Sequence, residues 1–435
     1  MAKGTYAAQT FQAWFCDEGW REFVATDELV IGVDVGKYAF YAAVRGQGIT
    51  RCDVLYFERD QIRRFVESVA ELEFDTVTLV LEPTGTYSDG LVEQARRAGF
   101  NVIRINGERV ANAELVFDGV PSLHDGKAAY LLSHLYLCGV GSPWKELDDS
   151  TRDLRALADL DELIEKNEQL YVGPLEALVV RHWPELTDHL ELKSATLLEL
   201  LSTFGSSQRV CAEPQRAREL MRNVGGHFLS EETIEAVVAS AQTTTGVKPT
   251  ADQQEMLKYV AGMLRDVQRR ANGVEARIRK SAEEHEATSS LVEFAGHRTA
   301  VILVGLLGAL TDYESPDHLE KAQGMNLCER TTGQTLEQKR KGQAPVHISK
   351  RGPGRARKML YWLAMRKLNP ISTSYCPIAT AWYRERLRRN GGNATQGLVA
   401  LMRKLIKALW WVARGQEYDG SKLFDVARLQ NLGHL

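Results

Sequence analysis

The chain has 435 residues, 44% hydrophobic and 26% charged. That composition excludes fibrous, collagenous and wholly disordered classes and leaves room for two or three domains of about 100–200 residues each. The 54 Lys and Arg nearly balance 57 Asp and Glu, for a net charge of -3. The balance is uneven along the chain. Between Gln338 and Gly415 stand 18 bases and one acid, Glu385, so this stretch carries +17 and the remainder -20. So lopsided a distribution points to a polyanion partner for the C-terminal part. The six cysteines are scattered, with no C-x-x-C pair and no zinc-like His/Cys spacing, as in a reduced, cytoplasmic protein with incidental thiols. A basic region followed by an apolar one is absent from the first twenty residues, so no signal peptide is expected. The longest apolar stretch, Ala300 to Leu310, falls well short of the ~20 residues that cross a bilayer.

Residues 1–27 read as an N-terminal extension. Leu29–Val35, Phe40–Val44 and Cys52–Phe57 are β-rich apolar runs that predict three strands in succession. Gln61–Leu72 has helical spacing, with Ile62, Phe65, Val66 and Val69 on one face. Thr76–Leu81 (TVTLVL) is almost wholly apolar, as strands buried on both faces are. A helix over Ser88–Ala98, a strand over Asn101–Ile105 and helices over Arg109–Phe117 and Lys127–Cys138 complete the segment. Three strands in a meander, then alternating helices and strands, is by analogy the order of the ribonuclease-H-like fold, so residues 28–142 are assigned to an α/β layered domain. After Pro143 the pattern is helical only. Residues 143–285 hold a charged, heptad-like run, Leu154–Val172, and a long amphipathic stretch, Gln253–His285. Met256, Val260, Met263, Leu264, Val267, Ala271, Val274 and Ile278 recur there at three- and four-residue steps. They suit either a bundle face or a dimerising coiled coil. Ala300–Leu310 and Leu398–Val412 are apolar helices of a C-terminal domain, residues 286–435. The fold class expected is therefore α/β plus all-α.

Chemistry is concentrated in three acids. Asp34 ends the first strand in IGVDVGK, and Glu82 ends the central strand in LVLEPTGTY. If the two strands are neighbours, both carboxylates leave one sheet at the same end. Such a pair is costly unless a cation sits between them, and Mg²⁺, a hard ion that takes oxygen ligands, is the usual answer. The alternative is that each acid marks a solvated strand end. Asp125 in SLHDGKAAYLL precedes a helix, where Asp is commonly an N-cap, although from the first turn it could also reach the strand ends. His124 beside it is a poor ligand for Mg²⁺.

The segments IGVDVGK, LEPTGTY, FDGVPSLHDGKAAYLL, GMNLCERTTGQ and HISKRGPGRARKMLYW resemble those of the DEDD-type insertion-sequence transposases, the bridge-RNA-guided recombinases related to the Piv DNA invertases. The resemblance covers residues ~29–140 and ~290–412. It implies an N-terminal RuvC-like domain holding Mg²⁺ on Asp34, Glu82 and Asp125, and a C-terminal helical transposase domain whose hydroxyl attacks DNA. Two positions depart from the family pattern. Its fourth acid should stand where this chain has Ala128, and its nucleophilic serine where this chain has Thr332. Losing one carboxylate weakens a Mg²⁺ site, and the extra methyl of threonine crowds its Oγ. Local sequence alone suits a turn at Thr331–Thr332 equally well.

Arg330, Lys339, Arg340, Lys341, Lys350, Arg351, Arg355, Arg357 and Lys358 form the expected nucleic-acid surface, since glycines between them admit a phosphate backbone and arginines grip phosphate in pairs of bonds. Tyr361, Trp362, Trp382 and Tyr383 are interleaved with these bases, and core packing is the preferred role for them over base stacking. The leading expectation is a DNA transposase or recombinase that works with donor and target DNA and a guide RNA, as dimers assembling into a tetramer. A metal-dependent nuclease without a covalent intermediate and an inactive nucleic-acid-binding relative are its rivals.

Overall fold

The computed structural model describes residues 6–433 apart from 24–26, 47, 49, 73, 84, 118–123 and 330–345. It is mixed α/β and divides into two compact units, Met1–Glu146 and Leu147–Leu435.

The first unit is built on β1 (Ala8–Thr10), β2 (Glu28–Val35), β3 (Ala39–Gly46), β4 (Cys52–Glu58), β5 (Thr76–Leu81), β6 (Asn101–Arg104) and β7 (Ser142–Pro143), with α1 (Phe11–Cys16), α2 (Ile62–Ala70), α3 (Asp89–Arg97), α4 (Gly107–Phe117) and α5 (Asp125–Leu137). The strands form one mixed sheet in the order β1-β4-β3-β2-β5-β6-β7. β2, β3 and β4 are the antiparallel meander, and β5 and β6 join parallel on the other side of β2. Because side chains alternate along a strand, β2 serves two cores. Leu29, Ile31 and Val33 pack with Phe65, Val66 and Leu91 on one face. Val30 packs with Val80, Val110, Leu131 and Leu132 on the other, under α4 and α5. Gly32 is what lets α5 lie against β2. A Cβ there would overlap the Ala129 carbonyl and the Ser133 amide, which are backbone and cannot turn aside.

The described part of the expected N-terminal extension, residues 6–23, packs on the sheet. β1 pairs with β4, and Phe11, Trp14 and Phe23 are buried in the same core as β2. Trp14 Nε1 donates to Asp53 at 2.8 Å. Apolar side chains this widely spaced show no period, so nothing local marks them as covering a sheet edge.

The second unit is mostly helical. α6 (Asp149–His182) and α12 (Ala251–Glu284) are 34 residues each and pack along one another. At 1.5 Å per residue each is about 50 Å long, enough to serve two cores. One core joins Leu175 and Val179 of α6 and Leu257, Val260 and Leu264 of α12 to the shorter helices α7 (Leu186–His189), α8 (Ala195–Phe204), α9 (Ser207–Ala212), α10 (Pro214–Gly225) and α11 (Glu231–Thr243). The other joins Leu154, Leu157, Val274 and Ile278 to α13 (Glu286–Ala295), α14 (His297–Leu307) and the helices Gly354–Leu368 and Ala394–Val412. The boundary expected near residue 286 therefore falls inside a shared core. Most apolar positions of α12 are satisfied within the chain, as a bundle face requires, while Met256 is exposed. A groove of about 700 Å³ between α6 and α12, lined by Leu160, Leu163, Ile164, Tyr171, Met263 and Val267, stays open. All six cysteines are free, and among the described residues no helix is long and apolar enough to cross a membrane.

Candidate active site

The register of the sheet brings two of the predicted acids together. β2 and β5 run parallel with Val33 opposite Leu81, so Asp34 and Glu82 follow side by side at the carboxyl ends of the two central strands. Alternation places Asp34 on the face of Val30 and Gly32, and Glu82 on the face of Thr78 and Val80, which is the face α5 covers. α5 starts at Asp125. The Asp34 carboxyl is pushed up to about 6, first by burial, then by the charges of Asp125 and Glu82. Burial also raises Glu82. The charges of the other two acids thus bear on Asp34, while burial alone acts on Glu82. At the other end of β2, on the same face, Glu28 accepts hydrogen bonds from Thr78 Oγ1 at 2.6 Å and the Tyr136 hydroxyl at 2.8 Å. Asp34 instead faces two more carboxylates.

The N-cap expected at Asp125 is His124, whose Nδ1 accepts the Lys127 amide at 3.3 Å. Asp125 is the next residue, at the first helical position, and so is not needed as a cap. A short-range sequence rule cannot tell apart two adjacent polar residues at a helix start.

Among the described residues no group of three or more His, Cys, Asp or Glu side chains stands close enough together to hold a metal ion. Asp34 feels the charges of the other two, but the three do not form a closed set of ligands. As donors they nonetheless fit Mg²⁺ in kind: all are hard oxygens, and their mutual repulsion is what a cation relieves. Ala128, one turn along α5 from Asp125 and buried, supplies no donor.

Gly107 was missed from the sequence, where nothing sets it apart. It opens α4, and a Cβ there would overlap the Glu82 carboxyl. The absent side chain makes room for that carboxyl beside the strand ends. Gly107→Ala is expected to displace Glu82 and lower metal-dependent cleavage about 10- to 100-fold, the scale on which a misplacement near 1 Å acts. Circular dichroism and the melting temperature should barely change. A wild-type rate in this variant would show that the position of Glu82 is immaterial.

Thr332, Arg330, Lys339, Arg340 and Lys341 lie outside the described residues. The remaining predicted nucleic-acid contacts divide. Lys350 is exposed, with φ at 56°, and Arg351 is exposed beside it. Arg355 is not a surface residue. Its side chain, 7% exposed, binds Asp161, Glu162 and the Ala158 carbonyl, all on α6. Lys358 pairs with Glu165 of α6 at 2.8 Å, and Arg357 donates to the carbonyls of Gly352 at 2.9 Å and Gln323 at 3.2 Å. Much of the remaining charge is likewise used internally: Arg388 and Arg389 on Glu385, Arg403 on Glu320, and Arg414 on main-chain carbonyls. Counting charge along the sequence missed this because the compensating acids of α6 lie nearly 200 residues away. Arg384 and Arg386, which the sequence did not single out, are exposed on the helix Pro377–Arg389. Of the four aromatics, Trp382 packs on Phe424 as expected of a core residue, whereas Tyr361 and Trp362 are exposed.

The chain matches no protein-family model, and no curated protein matches it significantly.

Proposed function

We propose that this protein is a DNA recombinase of the DEDD transposase type, with the carboxylate cluster as its phosphate-cutting site. The observation that carries the reading is the parallel register of β2 and β5, which sets Asp34 and Glu82, two acids remote in sequence, side by side at the carboxyl ends of the central strands, with α5 and Asp125 on the same face of the sheet. The strand order supports it: an antiparallel meander with two parallel strands added beside its first strand is the ribonuclease-H arrangement of RuvC-like domains. When bound, Mg²⁺ would polarise the scissile phosphate and stabilise the leaving oxygen. The chain's part is to present Asp34 and Glu82 from rigid strands and Asp125 from the helix start, with Gly107 making room for Glu82. Thr332 is proposed as the nucleophile. Its Oγ passes its proton to water and bonds to phosphorus as the bond to the 3′ oxygen breaks and that oxygen takes up a proton; later this 3′ hydroxyl, or its counterpart on another strand, loses its proton to water and attacks phosphorus, breaking the bond to Oγ, which is reprotonated. A guide RNA selects the DNA, and dimers pairing into a tetramer allow exchange between two duplexes in the cytoplasm.

A second reading, a nucleic-acid-binding relative without catalysis, is favoured by Ala128 at the fourth acid position and by the open ligand set. A suicide substrate separates the two. A DNA duplex nicked beside the cleavage position, incubated with the protein, its co-purified RNA and Mg²⁺ or Mn²⁺, should yield a covalent protein–DNA band that is lost in Thr332→Ala. Cleavage without such a band would establish a hydrolytic nuclease, and binding without cleavage would establish the inactive relative.

A further inference from the structure

We propose that Tyr361 and Trp362, with Met365 one turn on, form a stacking platform for the unpaired bases of a single-stranded nucleic acid. The proposal rests on the nucleic-acid reading above and specifies which part of such a ligand meets this helix. The helix Gly354–Leu368 buries Ala356, Met359, Leu360, Leu363 and Ala364 in the core it shares with α6 and α12. Its outer side leaves Tyr361 39%, Trp362 47% and Met365 38% exposed. Tyr361 and Trp362 stand four and three residues before Met365, the spacings at which side chains on a helix are neighbours. The two rings brace each other edge to face, 5.2 Å apart at 80°. A solitary exposed aromatic needs no explanation, but two rings and a thioether side by side leave apolar surface in water that a partner would cover.

Charge selects the partner. From Gln338 to Arg384 the sequence holds 11 Lys and Arg and no acid. Most of the described ones are held inside the fold, Lys358 on Glu165 among them, but Lys350 is exposed just before the helix and Arg384 on the helix Pro377–Arg389. A second copy of this chain would bring its own positive segment to the same place. A polyanion with flat faces satisfies both the rings and the bases. In a duplex the base faces are hidden in the stack, so the faces offered to Tyr361 and Trp362 belong to unpaired nucleotides. Stacking on aromatic side chains tolerates any base, because every base has a π face.

The test uses the full chain and two probes of equal charge: an oligothymidylate of about 15 nucleotides and the same phosphodiester backbone without bases. The wild type should bind the oligothymidylate about 10-fold or more tighter than the abasic strand, as expected for one or more stacked bases. The double variant Tyr361→Ala, Trp362→Ala should bind both strands equally, with affinity for the abasic strand and its salt dependence unchanged. Trp362→Phe, which keeps a ring, should retain most of the preference. A double variant that still discriminates as the wild type does overturns the platform, and leaves the recombinase reading standing. A wild type that binds neither strand removes the nucleic-acid reading and the platform with it. Loss of self-association in the double variant, with strand binding intact, would assign the patch to a second copy instead.

Discussion

Asp34→Asn is expected to abolish metal-dependent DNA cleavage, by about 10³-fold or more, and at the same time to raise the melting temperature of the N-terminal unit at pH 7.5. The two effects have one origin. Asp34 is held among Glu82 and Asp125 with its carboxyl pushed up to about 6, so at neutral pH its charge opposes folding. In the unfolded chain an aspartate titrates near 3.9. Between about pH 4 and pH 6 the native state therefore binds more protons than the unfolded state, and stability contributed by this group falls as pH rises through that window. Above pH 6 the whole penalty is present. Asn removes it, a gain of about 1 kcal/mol once screening of the partly exposed carboxyl is allowed for. Below pH 4, where the acid is neutral in both states, wild type and variant should melt alike. Mg²⁺ or Mn²⁺ should stabilise the wild type by mass action and leave the variant unmoved. Thermal melts from pH 3.5 to 8, with and without metal, check all of this. A variant less stable than the wild type at pH 7.5 would mean that the acids do not repel one another, and the site as described would not exist.

Arg355→Ala carries the second large effect, and it is on stability. Read from the sequence, Arg355 is one base of a phosphate-binding run, whose loss should weaken nucleic-acid binding and spare the fold. In the structure it is nearly buried, with its guanidinium on Asp161, Glu162 and the Ala158 carbonyl. Arg298 shares Asp161, at 2.9 Å, and also reaches Glu165. Removing Arg355 leaves these acids with too little positive charge and the helix Gly354–Leu368 with Lys358–Glu165 as its remaining ion pair to α6. The expected loss is about 3 kcal/mol, the lower end for breaking a buried pair, because Arg298 keeps part of the compensation. For a unit of this size that lowers the melting temperature by roughly 5 °C. Lys350→Ala, at an exposed position, should leave the melting temperature unchanged and reduce strand affinity in a salt-dependent way. If Arg355→Ala melts like the wild type, the ion pairs to α6 contribute nothing and the residue returns to the list of phosphate contacts.

These expectations show how unevenly the site could be read. Asp34, Glu82 and Asp125 stand out in the sequence because each ends or begins an element whose apolar pattern is unmistakable. Gly107 does not, because its role lies in the absence of a side chain where the Glu82 carboxyl needs room, and nothing local reports that. Tyr361 and Trp362 looked like core residues, since aromatics usually are, and their exposure depends on which side of the helix Gly354–Leu368 meets α6 and α12.

By itself the sequence determined what is local or periodic. The apolar runs Leu29–Val35 and Thr76–Leu81 placed the central strands, and the three- and four-residue steps of Gln253–His285 placed α12 to within two residues at either end. Such patterns are written into consecutive residues, because a strand or helix repeats its geometry every two or 3.6 positions. Only the tertiary structure decided which distant residues meet. It set Asp34 beside Glu82 through the parallel register of β2 and β5, and drew residues 8–23 onto the sheet. It also ran one core from α6 to the C-terminal helices and turned Arg355 inward to acids nearly 200 residues earlier. The physical reason is the same in each case. Register, packing and charge compensation act through distances of a few ångströms in space, and separation along the chain carries no record of them.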